Sequence, residues 1–204
     1  MSRNLEPKGK IVRRLGANIY GNPKYDRLLE KKPNPPGEVK KRRPRISEYG
    51  KQLAEKQKIR FAYGLSEKQF RIVFANAKKL KGVTGDNMLS LLERRLDNVI
   101  YRLGMASTRS QARQIVNHGH VRINGRKNNI PSATVKANDV ITIKDKNSSK
   151  QLIQNFISSN INRDVPEWLS LSKVDMTGTV TRLPEKADIQ PVGDEQLVVE
   201  FYSK

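Results

Sequence analysis

The sequence predicts an α+β protein with three parts. They are a basic extended amino-terminal arm, a helical domain, and a module of two helices plus a small antiparallel sheet. Three observations carry this. Proline and like charge crowd KKPNPPGEVKKRRPR at 31–45, which has four prolines and seven basic residues. Apolar residues then recur at helical spacing through residues 65–116. Finally, HVRINGRKNNI (120–130) alternates apolar and polar residues around Asn-Gly, a strong short hairpin signal.

Composition narrows the partners. The 204 residues hold 40 Lys plus Arg against 20 Asp plus Glu, a formal net charge of +20. Self-repulsion of that size calls for a polyanion, either nucleic acid or an acidic membrane surface. Aromatics are scarce at 6% and hydrophobics reach 36%, so the core is modest. The absence of cysteine excludes disulfides and thiolate zinc sites. His118 and His120 alone do not close a zinc site. No apolar run approaches the roughly 18 residues of a membrane span. The start MSRNLE lacks a signal core, so the expectation is a cytoplasmic protein.

The elements follow in order. Residues 1–45 carry 14 basic and 4 acidic residues and read as an extended arm, because proline blocks helix and the charges repel. Residues 46–91 read as a helical domain. SEYGKQLAEKQKIRFAYG (47–64) is weakly amphipathic. In LSEKQFRIVFANAKKLKG (65–82), Ser66 and Gln69 form a capping box. Phe70, Val73, Phe74, Ala77 and Leu80 make one stripe, and Gly82 stops the helix. Lys78, Lys79 and Lys81 sit where the helix dipole favours cations.

GDNMLSLLERRLDNVIYRLG (85–104) repeats the pattern as one expected helix with Asp86 as cap. Arg95 and Arg102 fall on one flank, and Arg94 opposite reads as an ordinary solvent arginine. A further helix starts at Thr108, with Gln111 completing a second box, and ends at Gly119. Arg109 and Arg113, four apart, share a side. Val121 and Ile123 face inward and Arg122 outward, while VITIKDK (140–146) reads as a pairing strand. Residues 92–146 thus form the two-helix-plus-sheet module. Residues 147–204, with 6 basic and 8 acidic residues, form an extension whose Trp168, Leu169, Leu171, Leu197, Val198, Val199 and Phe201 pack against both domains.

Residues 107–126 hold four arginines, two histidines and no acid. The reading is a rim of uncompensated cations awaiting phosphates, with the helix start at Thr108 adding backbone donors. Composition leaves RNA and DNA both open, although a long arm with several helical segments suits folded RNA.

LERRLDNVIYRLGMASTRSQARQIVNHGHVRINGR (92–126) resembles the RNA-binding module named after the fourth protein of the small ribosomal subunit. Leu96-Asp97, Leu103-Gly104, Thr108-Arg109, Ala112-Arg113, Gly119 and Val121 to Gly125 carry the likeness. It extends through PRISEYGKQLAEKQKIRFAYGLSEKQF (44–70), LKGVTGDNMLSLLERRLDNV (80–99), PEWL (166–169) and LVVEFYSK (197–204). The chain is therefore similar to the bacterial-type ribosomal S-four family. It looks like the branch without a zinc knuckle, since lysine, asparagine and prolines stand around 31–37.

The resemblance implies a primary binder of 16S-type ribosomal RNA. Such a binder docks on a junction in the 5′ domain, nucleates the body of the subunit and supports translational accuracy. It also implies contact with ribosomal protein S-five, and with mRNA where it enters the subunit, near Lys40, Lys41, Arg42, Arg43 and Arg45. No cofactor, metal, membrane, small-molecule substrate or catalytic residue is expected.

The candidate RNA contacts are those five residues with Arg3, Lys8, Lys10, Arg13 and Arg14 of the arm, and Lys56, Arg60, Arg71 and Lys78 of the helical domain. In the module they are Arg95, Arg102, Thr108, Arg109, Arg113, His118, Arg122, Asn124 and Arg126, with Asn124 a turn-maker first. Three competing functions fit a basic chain. A modifying enzyme that uses the module for targeting would need a further catalytic domain, for which residues 147–204 are too short. A DNA-binding regulator would prefer duplex DNA, and a free RNA chaperone would hold small subunits only weakly at high salt.

Overall fold

A computed structural model describes residues 6–37, 46–160, 164–190 and 192–203. The chain divides into two compact units, one from Met1–Asn76 with Pro191–Lys204 and the other from Ala77–Gln190.

In the first unit, the stretch read as an extended arm contains two helices, α1 (Lys8–Leu15) and α2 (Pro23–Lys31). The prolines that block helix lie mostly beyond them. Ile11 and Val12 are buried on α1, and Gly16, in the left-handed region at φ 66°, closes that helix by donating to the Val12 carbonyl. Asn22 caps α2 by accepting from the Lys24 amide, and Pro23 sits in the first turn, where its missing N–H costs nothing.

Helix α3 (Glu48–Ala62) starts at Ser47, whose hydroxyl accepts from the Gly50 amide. Helix α4 (Glu67–Lys79) begins with the expected Ser66 cap on Gln69 N–H at 3.3 Å. The late helix α9 (Glu195–Tyr202), capped by Asp194, packs along α3. Gln52 donates to Glu200 at 3.0 Å, and the rings of Tyr49 and Phe201 lie 5.4 Å apart. Tyr202 meets Phe74 at 4.7 Å and Phe70 at 6.1 Å.

The second unit contains α5 (Thr84–Glu93), α6 (Leu96–Arg102), α7 (Arg109–Asn117) and α8 (Asn147–Ser159). Its strands are β1 (Val121–Ile123), β2 (Arg126–Lys127), β3 (Val140–Ile143), β4 (Leu169–Ser172) and β5 (Thr177–Val180). They form one antiparallel sheet in the order β2-β1-β3-β5-β4. The expected hairpin pairs Ile123 with Arg126, and β3 pairs with β1 as read. Strands β4 and β5 widen the sheet, and Trp168 is fully buried in the core with Leu96, Ile100, Leu103, Val116, Val121 and Ile141.

The expected single helix over 85–104 is two helices. Between them, Arg95 makes a bridge to Thr134, and the Leu96 and Asp97 amides donate to the carbonyls of Ala133 and Pro131. These non-local bonds replace the intrahelical ones at that point. Asp86 lies in the first turn of α5 after Val83 and meets Lys186 at 3.0 Å instead of capping.

Candidate nucleic-acid interface

The break between α5 and α6 puts Glu93 at the end of one helix and Asp97 in the first turn of the next. Both are buried among arginines. Asp97 accepts from Arg95 (Nε 3.1 Å, Nη2 3.0 Å) and from Arg113 (Nε 2.8 Å, Nη2 2.6 Å). Glu93 accepts two bonds from Arg102, at 3.0 and 2.7 Å, and one from Asn98 Nδ2 at 2.7 Å. Arg109 donates from Nε to Asn98 Oδ1 at 2.7 Å and lies over the Tyr101 ring at 4.5 Å. Arg109 and Arg113 share a side of α7, as the four-residue spacing predicts, and their bonds to Asn98 and Asp97 turn that side toward α6.

This corrects the expectation of a rim with no local acid. LERRLDN, just upstream of the basic stretch, supplies two carboxylates to three arginines, Arg95, Arg102 and Arg113, while Arg109 bonds the neutral Asn98. Arg95 is 6% exposed, so its guanidinium holds the interior together instead of lining the rim. Arg94 is also no plain solvent arginine. Its Nε donates to the Val135 carbonyl at 3.1 Å, and desolvation pulls its pKa below the usual arginine value.

The other residues of this unit divide by surroundings. Thr108 caps α7 by accepting from Gln111 N–H at 3.3 Å, but the Gln111 side chain returns its bond to the Ser107 amide. Asn124 makes the hairpin turn at φ 50°, accepting from Val140 N–H and donating to Asp139, each at 2.8 Å. Arg122 is half-buried opposite Lys127 and Thr142, whereas Arg126, His118 and Lys78 are exposed. Sequence reasoning passed over His120, which shares a bond of 2.9 Å with the Ser149 hydroxyl. Burial, and then the charges of His118, Lys144 and Lys146, push its pKa down.

In the first unit, Lys10 and Arg71 are exposed. Lys8 lies over the Tyr20 ring at 5.2 Å, and Arg14 pairs with Glu6 at 2.9 Å. Arg13 donates to the carbonyls of Asn34 and Pro35, fastening the proline-rich segment to α1. Arg60 bonds Gln57 and stacks on Phe61 at 4.3 Å. Lys56 is 4% exposed, bonded to Glu67 at 3.0 Å and placed over Phe201 at 4.8 Å. It belongs to the core between α3, α4 and α9, which corrects its reading as a surface cation. Arg3, Lys40, Lys41, Arg42, Arg43 and Arg45 lie outside the described residues.

A helix pair edged with arginines and followed by a basic hairpin on an antiparallel sheet defines a class of phosphate-facing binding module. Residues 94–141 match the S4 domain, and residues 3–93 match the ribosomal protein S4/S9 N-terminal domain. A small ribosomal subunit protein uS4 of Borrelia hermsii is 50% identical over 206 residues, covering 100% of this chain and 99% of the relative. Its counterpart in Treponema denticola is 54% identical over 201 residues, covering 98% and 97%. One in Borreliella burgdorferi is 52% identical over 206, covering 100% and 99%. The chain belongs to the small ribosomal subunit protein uS4 family, as the S-four resemblance predicted. That family is structural and non-enzymatic, and its place is the small subunit of the ribosome. No described helix is long and apolar enough to cross a membrane.

Proposed function

We propose that this chain is a primary binder of small-subunit ribosomal RNA, docking on a helical junction in the 5′ domain early enough to nucleate the body of the subunit. The observation that carries the reading is the α6–α7 edge. It lies within the S4 domain match and gathers three partly exposed arginines, Arg102, Arg109 and Arg113, in a chain of net charge +20. Arg102, Arg109 and Arg113 would meet phosphates there, beside the hairpin cations Arg122 and Arg126. His118, Thr108 and Asn124 stand nearby in sequence and complete the proposed contacts of the module. In the other unit Lys8, Lys10, Arg13, Arg14, Arg60 and Arg71 would bind backbone, with Lys78 at the end of α4 and Arg3 as a further contact. Lys56 and Arg95 drop out of this set because their charges are already paired in the interior.

Phosphate neutralisation would dominate the affinity. With roughly 6–10 phosphates engaged, binding to naked small-subunit RNA should weaken about 10³- to 10⁵-fold between 50 and 200 mM salt. No binding at low salt, or a flat salt response, would refute the proposal. Footprinting on the same RNA tests the junction, since protection scattered outside the 5′ domain contradicts it. The reading also places Lys40, Lys41, Arg42, Arg43 and Arg45 beside mRNA, and gives the chain a contact with ribosomal protein S-five that supports accuracy. Cross-linking from residues 40–45 in assembled subunits, together with a misreading assay on variants at that contact, tests these two.

A further inference from the structure

We propose that Glu93, Asp97 and Asn98 are positioning residues for phosphate recognition. They form a buried hub that orients Arg102, Arg109 and Arg113 and so strengthens the binding of a polyanion, despite its own negative charge. The inference rests on the reading above that this edge meets RNA.

Charge alone argues the other way. An acid beside a phosphate site lowers the local potential, so removing it should tighten binding. Depth decides the matter. The Glu93 and Asp97 side chains are 1% and 3% exposed, while those of Arg102 and Arg113 are 20% and 22% exposed. The carboxylates therefore lie beneath the guanidinium layer, and a ligand at the surface meets the arginines first.

The bonds fix orientation as well as charge. Arg102 sets Nε and Nη2 on the two oxygens of Glu93, a fork-to-fork pairing that defines the plane of the guanidinium. Arg113 turns its Nε–Nη2 edge onto Asp97. Asn98 couples the two halves. Its Nδ2 donates to Glu93, its Oδ1 accepts from Arg109, and the Tyr101 ring supports that guanidinium from below. An arginine side chain has many rotamers, and immobilising it before the ligand arrives removes that entropy loss from the binding step. Three arginines on two helices are thus held ready by one set of bonds.

The competing view is that the network only holds α5, α6 and α7 together. Glu93→Gln separates the two, because it keeps the shape while raising the net charge by one. Its affinity for naked small-subunit RNA is measured against salt, with unfolding followed in parallel. A charge-only or purely architectural role predicts equal or tighter binding by the folded variant. The positioning role predicts roughly tenfold weaker binding at the same salt, the loss expected when a side chain must be immobilised on binding.

A second measurement needs no variant. In the free protein, the Nε–H signals of Arg102, Arg109 and Arg113 should exchange slowly with solvent relative to that of exposed Arg27. Fast exchange at all three overturns the proposal even if Glu93→Gln fails to fold, and slow exchange then supports it. Absence of RNA binding by the unaltered chain would overturn the RNA reading and this inference together. Wild-type binding matched or exceeded by folded Glu93→Gln overturns this inference alone.

Discussion

Replacing Lys56 by methionine should loosen the first unit without weakening its grip on phosphate. The substitution keeps the aliphatic stem and removes the ammonium, which bonds Glu67 at 3.0 Å and lies 4.8 Å from the Phe201 ring centre. A hydrogen bond between charged groups contributes about 1.5–3 kcal/mol when buried. The Glu67 side chain is 40% exposed, so the abandoned carboxylate rehydrates and this contribution falls to about 1 kcal/mol. Loss of the cation–π contact adds about 0.5–1 kcal/mol. The expected destabilisation is between about 1.5 and 2 kcal/mol, roughly a twelve- to thirtyfold loss of protection in hydrogen exchange. It should appear at the amides of α3 and α9.

Acid gives a second handle on the same variant. Burial alone would raise the Glu67 pKa, but the bonds from Tyr202 and Lys56 and the charges of Lys56 and Arg60 outweigh it and hold the group below 4.5. A depressed carboxylate stabilises the fold above its unfolded value and loses that contribution as pH falls through the folded one. Lys56→Met should therefore flatten the acid dependence below about pH 4.5. The reasoning fails if α3 and α9 keep full protection while the salt slope of RNA binding drops by about one phosphate. Lys56 would then be a surface contact after all.

Three further outcomes are expected. Gly178→Ala would drive a methyl group into the buried Leu103 side chain that packs against β5, and should destabilise the second unit by about 1–3 kcal/mol, read from Trp168 fluorescence in urea. His120, held below its usual 6.5 by burial and neighbouring charge, gives that unit a contribution that is fully present above 6.5 and is lost as pH falls below it, so His120→Gln should flatten the decline in stability on acidification below about pH 6.5. Asp139→Ala should accelerate deamidation of Asn124, because the carboxamide now tied to Asp139 and the Val140 amide would be freer to meet the Gly125 nitrogen; peptide mass spectrometry follows the conversion, and an unchanged rate would count against those bonds as the protection.

Features set by local chemistry were legible in the sequence. The Ser66 and Thr108 caps, the stop at Gly119 and the Asn124-Gly125 turn depend on residues within a few positions of one another. The break at Arg94-Arg95 was hidden because the leucines of 89–103 keep helical spacing straight through it. Its cause is the segment 131–135, almost forty residues later. Helices α1 and α2 are masked in the sequence by the proline and like charge of the surrounding arm, although Asn22-Pro23 is itself a helix-start signal. The candidate site was half legible. Its cations could be counted, but which of them were already paired depended on Glu93 and Asp97, and a carboxylate within a basic run does not announce which guanidinium it will meet.

The first unit is drawn from two separated stretches of chain, and its bond from Gln52 to Glu200 spans 148 positions. A ribosome releases residues 77–190 as one uninterrupted stretch before residues 191–204 emerge. The sheet-bearing unit therefore has all its parts in hand while α3 still waits for α9 to cover it. The contact of α9 with α3 is therefore the last of these to become possible during synthesis, after every strand of the sheet has been made.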